Sequence, residues 1–270
     1  MLIDINAYTG NWPYRGLRGN TLEAMLQRMD RFAVDKAIVA NLNGLFYVDC
    51  QRSNEELHAE VQSNAAFATR FIPFATINPV LPWWRDSLEI CDKQFAMKGI
   101  RLYPLYHQYK IAGAECVELV KAARDRNLPV SIPLRMTDLR ERSWLDVNEE
   151  LNYNDVASLV KKVPDAQYLI LDARLTDFQQ RTTAESVKIL KAGDILFDTV
   201  RGAGVPCKGP NGESLSYLLD AFGIEKMAFG TETPFVDYCS PFLRVAVFDK
   251  VDAAAKELIW SGNARRMLKI

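Results

Sequence analysis

Eight short apolar runs rich in β-forming residues, each followed by an amphipathic helical stretch, constrain this chain more than any other feature. The runs fall at residues 2–6, 36–41, 71–77, 99–103, 129–133, 168–172, 195–198 and 227–230. Strands alternating with helices predict βα units and a parallel sheet. Eight such units in 270 residues match one closed (β/α)8 TIM barrel, which takes roughly 250 residues. A hydrophobic share of 49% supplies the core that a barrel encloses. No Ser/Gly-rich linker or internal repeat breaks the rhythm, so residues 1–270 read as a single domain.

The helical stretches carry their own signals. In 21–32, Leu22, Met25, Leu26, Met29 and Phe32 form one apolar stripe, which Asn20 or Thr21 can cap. Stretch 54–63 opens on Asn54 followed by acids, which suit the positive end of a helix dipole. Val117, Val120 and Ala123 share a face of 116–126, and 155–162 and 214–222 are patterned alike. Residues 137–154, between the fifth strand and the next helix, are numerous enough for an elaborated loop over the barrel mouth.

Composition narrows the partners. With 33 basic and 34 acidic residues the net charge is -1, which leaves no electrostatic footprint for nucleic acid. The chain opens on a strand-like segment without a charged-then-apolar leader, and no apolar run approaches a membrane span, so a cytoplasmic protein with no membrane partner is expected. Cys50, Cys91, Cys116, Cys207 and Cys239 lack CxxC spacing and read as scattered thiols rather than a disulfide framework.

Several segments carry a family resemblance, by order and spacing rather than by any one piece. They are Arg28-Met29-Asp30-Arg31-Phe32-Ala33-Val34-Asp35-Lys36, Ser53-Asn54-Glu55-Glu56-Leu57, and Arg70-Phe71-Ile72-Pro73-Phe74-Ala75-Thr76-Ile77-Asn78-Pro79. Lys98-Gly99-Ile100-Arg101-Leu102-Tyr103-Pro104, Phe229-Gly230-Thr231-Glu232-Thr233-Pro234 and the closing Gly262-Asn263-Ala264-Arg265-Arg266-Met267-Leu268 complete the set. Together they resemble the amidohydrolase-2 family, relatives of aminocarboxymuconate semialdehyde decarboxylase. That resemblance implies a metal-dependent-hydrolase barrel, but the places of the family's metal ligands hold other residues. The His-x-His of the first strand falls on Asn6 and Tyr8, the fifth-strand histidine on Pro133, the sixth-strand histidine on Asp172 (Ala173 with a one-residue shift), and the last-strand aspartate on Glu232.

A catalytic zinc wants about three ligands from His, Asp, Glu or Cys, plus a water whose pKa it lowers toward roughly 7. Asn6 is a poor zinc ligand and Pro133 offers no side-chain donor. The expectation is therefore no usual zinc centre and no cofactor, with a divalent cation such as Mg²⁺ at Asp172 and Glu232 as the alternative. Barrel chemistry sits at the C-terminal strand ends, which here present Asn6, Tyr8, Asn41, Asn78, Arg101, Tyr103, Arg135, Asp172, Arg174, Asp198, Arg201 and Glu232. The arginines suit a carboxylate or phosphate, and Arg101, Arg135, Arg174 and Arg201, with Asn6, Tyr8 and Tyr103, are the substrate-binding candidates. The competing reading pairs those arginines with Asp172, Asp198 and Glu232, and makes Tyr8 an aromatic plug where a ligand is missing.

Asp172, Glu232 and His107 are the acid/base candidates. His58, the other histidine, reads as a packing or surface residue inside its helix. The glycine-rich segment 201–212 lacks Walker spacing and reads as a flexible lid, with Cys207 an idle thiol. The expected function is an amidohydrolase-related hydrolase acting on a small carboxylated substrate, with decarboxylation or hydration as the variant within enzymes. A pseudoenzyme used for sensing or protein interaction is the competing class, and a homo-oligomer is compatible with either.

Overall fold

The computed structural model describes residues 1–138, 140–173, 178, 181–201 and 215–270. Nine parallel strands run β1 (Ile3–Thr9), β2 (Lys36–Asn41), β3 (Phe71–Pro73), β4 (Ala75–Thr76), β5 (Ile100–Arg101), β6 (Val130–Pro133), β7 (Gln167–Leu171), β8 (Asp194–Asp198) and β9 (Met227–Ala228) among the described residues. Hydrogen bonding orders them β1-β2-β3 and β4-β5-β6-β7-β8-β9, in chain order throughout. The ring closes where Ile5 N donates to Phe229 O at 2.9 Å and Tyr8 N to Thr233 O at 2.8 Å. This is the expected (β/α)8 barrel, its third strand divided into β3 and β4.

The division occurs at Phe74. Its N–H donates to Val39 O on β2, whereas Ala75 N donates to Gly99 O on the β5 side, both at 2.9 Å. The strand thus exchanges one neighbour for the other within two residues. Gly99 makes this possible: a Cβ there would meet the Phe74 ring at 2.4 Å. Phe74 turns into the lumen with Ile3, Ile5, Ile38, Ile72, Leu169, Leu171 and Leu196, above Ala264 and Met267 of the terminal helix Asn263–Leu268. Each such apolar side chain, fully buried, stabilises the barrel by roughly 1.5–3 kcal/mol.

A bulge in β1 links this floor to the mouth. Asp4 pairs with Ala37 but Ala7 pairs with Val39, so β1 spends one extra residue there. Because strand side chains alternate in direction, the extra residue reverses the parity. Ile3 and Ile5 join the lumen core below the bulge, and Asn6 and Tyr8 join the mouth above it.

The helices follow the expected stripes with adjustments at their starts. Thr21, not Asn20, caps helix Leu22–Arg31, accepting from Ala24 N at 3.3 Å. Helix Gln51–Gln62 begins before Asn54, which is therefore not its cap. Asn54 is buried instead, donating to Thr76 O at 2.9 Å and accepting from Thr76 N at 2.8 Å, and so ties the helix to β4. Helix Tyr153–Lys162 begins on a capping box between Asn152 and Asp155. Cys50, Cys91 and Cys116 are buried free thiols and Cys239 is exposed, while Cys207 lies outside the described residues.

Candidate functional site

The strand ends assemble a buried chain of charges. Asp172, one residue past β7, receives the Arg135 Nε–H on one carboxylate oxygen and the Arg201 Nε–H on the other. Arg201 continues to Glu232, its Nη2 donating to Glu232 Oε2 at 2.6 Å. Arg135 also meets Asp138 at 3.2 Å and Glu150 at 3.7 Å. Both acids of the chain are withdrawn from water, at 1% exposure for Asp172 and 2% for Glu232.

Backbone geometry sets these acids in place at some cost. Asp172 and Glu232 hold φ of 54° and 60°, in the left-handed region, where a non-glycine residue is strained by about 1–3 kcal/mol. Asp198 at the end of β8 pins the first turn: its Oδ2 accepts from Asp172 N at 2.9 Å and its Oδ1 from Ala173 N at 3.3 Å. The same Oδ2 accepts from Asn6 Nδ2 at 2.7 Å. Glu232 N donates to Asn6 O at 2.7 Å, which pins the second. Gly230 lets these strands approach, since a Cβ there would meet Asp198 Cβ at 2.8 Å and Asn6 Cβ at 3.2 Å.

Burial governs the protonation of the acids. It pushes the Asp198 carboxyl up to about 7, against the opposing effect of its backbone donors. Burial and then the Asp172 charge push Glu232 well above the usual carboxylate range, with Arg201 and Arg135 only partly offsetting them. Glu232 Oε1 is buried with no hydrogen-bond partner. The shift favours the protonated form of Glu232, which keeps one oxygen uncommitted, while the guanidinium groups of Arg135 and Arg201 fill both oxygens of Asp172.

The remaining candidates divide. Arg101 lies lower in the lumen, wholly buried, with its guanidinium 4.6 Å from the Tyr8 ring centroid. Tyr8 packs edge-on against Phe235 at 5.8 Å and belongs to an aromatic cap with Trp12, Tyr103 and Met136. His107 belongs to a different neighbourhood: its Nε2 bonds Gly44 O at 3.0 Å and its ring faces Tyr103 and Tyr109. None of those contacts is to Asp172 or Glu232: His107 holds Gly44 and is not brought together with the two acids. Burial lowers its pKa and favours the neutral ring. His58 stacks on Phe95 at 4.3 Å, as a packing residue would. Arg174 lies outside the described residues. Asp198 is the residue to which sequence reasoning gave no role beyond pairing, and its signal was its place at a strand end.

The donor set does not suit a tightly held metal. Asp172 already receives a guanidinium on each oxygen, and the Asn6 amide donates to Asp198. Among the described residues no group of three His, Cys, Asp or Glu side chains gathers around a common point. Beside Arg135, a cavity of about 20 Å³ lies between Tyr103, Tyr106, Met136 and Leu151, room for about one water.

Comparison with known proteins places the fold. No family model and no curated protein matches the chain. Among solved structures, the 2,6-dihydroxybenzoate decarboxylase from Rhizobium superposes with a TM-score of 0.72 at 14% identity, covering 99% of this chain and 98% of that one. A protein described only as a candidate amidohydrolase, from Staphylococcus aureus, gives 0.73 at 14% identity over 100% and 99%. A dihydroxybenzoic acid decarboxylase from Polaromonas sp. JS666, with bound manganese and the inhibitor 2-nitroresorcinol, gives 0.72 at 15% identity over 99% and 96%. The barrel of this chain is the barrel of those proteins, in agreement with the resemblance carried by its segments.

Proposed function

We propose that this protein is a small-molecule enzyme that binds a carboxylic acid at the barrel mouth and protonates carbon as carbon dioxide departs. The observation that carries the reading is the buried Glu232 carboxyl, its Oε1 free of hydrogen-bond partners and its pKa raised by burial. In a decarboxylation the bond between ring carbon and carboxylate breaks and its electron pair stays on the carbon. A proton then fills that position, which is the task of a general acid near its operating pH. Glu232 supplies the proton, and the resulting carboxylate is stabilised by Arg201 beside it. Solvent restores the proton after release.

Hydrolysis, expected from the sequence, asks for a base that activates water. Burial and the Asp172 charge raise the Glu232 pKa, which favours an acid over a base there, and Asp172 is saturated by Arg135 and Arg201. The decarboxylases of similar fold support the same preference. No step is assigned to a metal, because among the described residues no three potential ligands gather at the strand ends.

The test is carbon dioxide release from a panel of hydroxybenzoates beginning with 2,6-dihydroxybenzoate, run with and without added Mn²⁺. Glu232→Gln keeps the shape and removes the acid, and should lower turnover at least about 100-fold. Undiminished turnover in that variant would sink the proposal. A second reading, a binding-only barrel, is favoured by one fact: Arg135 and Arg201 are already neutralised from within. It prevails if the whole panel binds without turnover.

A further inference from the structure

A second positive centre lies below the paired arginines, and it has no acid beside it. Thr76, Arg101 and Ser131 stand in register on β4, β5 and β6. From β5, Arg101 reaches across the lumen to β1. Its Nη1 donates to Ala7 O at 3.0 Å, its Nη2 to Ile5 O at 3.5 Å, and its Nε to Ser131 Oγ at 2.9 Å. All three acceptors are neutral, and among the described residues no carboxylate lies within ion-pair distance of it. The side chain is wholly buried. An isolated buried charge is costly unless a counter-charge joins it.

The surroundings offer donors rather than a counter-charge. A guanidinium has five N–H groups, and three are engaged in these bonds. Tyr103 lies two residues past Arg101, just beyond the end of β5. Its hydroxyl lies beside Arg101 and Thr76 without a well-formed hydrogen bond, and the Thr76 hydroxyl is also buried without a partner. Burial holds the Tyr103 phenol up to about 12, so it keeps its proton at neutral pH. The Arg135–Asp172–Arg201 chain has the opposite character, with its cations already matched by acids.

We propose that Arg101, Tyr103 and Thr76 form an anion subsite in the barrel lumen, which takes the carboxylate head of the substrate. The proposal rests on the acid-binding reading of the mouth and assigns the carboxylate to Arg101 rather than to Arg135 or Arg201. It also gives the unsatisfied hydroxyls of Tyr103 and Thr76 a purpose: each donates to a carboxylate oxygen while Arg101 balances the charge.

Two measurements test it. Benzoate titrated into the Tyr103→Phe, Thr76→Val double variant, which keeps the Arg101 charge, should bind at least about tenfold more weakly than to the wild type. That factor corresponds to about 1.4 kcal/mol. Crystals of the wild type soaked in sodium bromide should show bromide in contact with Arg101 and the Tyr103 hydroxyl, and this readout does not depend on a variant folding. Unchanged benzoate affinity in the folded double variant, or bromide at Arg135 and Arg201 alone, overturns the subsite. Benzoate binding lost in the double variant without decarboxylation in the wild type would support the subsite and refute the reaction, so the two failures are distinguishable.

Discussion

Replacing Asp172 by Asn separates the charge of the site from its shape. Asparagine matches aspartate in size and tolerates the left-handed backbone that Asp172 adopts at φ 54°. The substitution removes the anion between Arg135 and Arg201, whose side chains are only 5% and 17% exposed. A hydrogen bond to a charged group contributes about 1.5–3 kcal/mol, and breaking a buried pair from one side costs about 3–5 kcal/mol. Two such bonds end on Asp172, and their loss leaves two guanidinium groups repelling each other. The expected destabilisation is therefore about 3–5 kcal/mol, or roughly 10 °C in Tm at this chain length. Glu232→Gln provides the contrast. Burial disfavours the charged form of Glu232, and a glutamine oxygen still accepts from Arg201, so that change should stay within about 1 kcal/mol. Urea unfolding followed by tryptophan fluorescence reads both variants. Equal losses, or a loss below about 1 kcal/mol for Asp172→Asn, would refute the assignment of charge within the chain.

Other outcomes follow from the same contacts. Asp198 has a folded-state pKa raised from 3.8 to about 7, so the folded state holds its proton more tightly than the unfolded chain. That contribution is complete below about pH 4 and lost as pH rises through 7, amounting to about 4 kcal/mol at 1.36 kcal/mol per unit. The difference in stability between wild type and Asp198→Asn, measured by denaturation from pH 4 to 8, should therefore drift in the variant's favour with rising pH, and a flat difference contradicts it. Gly230→Ala should cost several kcal/mol, because its Cβ meets Asp198 Cβ at 2.8 Å; a Tm within about 2 °C of wild type would count against the packing described. Protein treated with chelator should keep its Tm, since no described ligand set holds a metal, and stoichiometric metal lost together with several degrees of Tm reverses that expectation.

The barrel was legible because its signal is local and repeated: eight β-rich runs, each answered by an apolar helical stripe. What the sequence concealed depends on distant partners. The break at Phe74 requires Gly99 to lack a side chain, a relation no pattern within residues 71–77 contains. Asn54 carries a cap residue's chemistry, yet its amide is spent on Thr76 of β4, and tertiary bonding overrides the local preference. At the site, the family resemblance pointed to Asp172 and Glu232, strand-end position added Arg135 and Arg201, and the competing reading paired the acids with the arginines. Spacing does not tell which way His107 turns, because Gly44 O, after β2, fixes the orientation of the ring. Nothing in the spacing distinguishes Arg101, bonded only to neutral acceptors, from Arg135, bonded to acids. The β1 bulge that brings the Ala7 and Ile5 carbonyls into reach is a feature of register.

The charges at the strand ends have an electrostatic logic. A decarboxylase of similar fold is described with bound manganese. Here Asn6 and Tyr8 contribute no charge, while Asp172 and Glu232 remain at the strand ends and face Arg135 and Arg201. Two guanidinium groups carry the same formal charge as a divalent ion, so Asp172 keeps a cationic partner and is not buried as an isolated charge. The distribution of that charge differs. A metal concentrates it at one point open to a water or substrate oxygen, whereas two planar forks spread it over fixed hydrogen bonds that Asp172 already occupies. Such a centre holds acids in register and tunes Glu232, but it offers little Lewis acidity. A substrate anion must then displace Asp172 from its arginines or find a cation without an acid. Arg101 is that cation, and this is why the lumen beneath the paired charges, rather than the pairs themselves, is where a carboxylate gains most from binding.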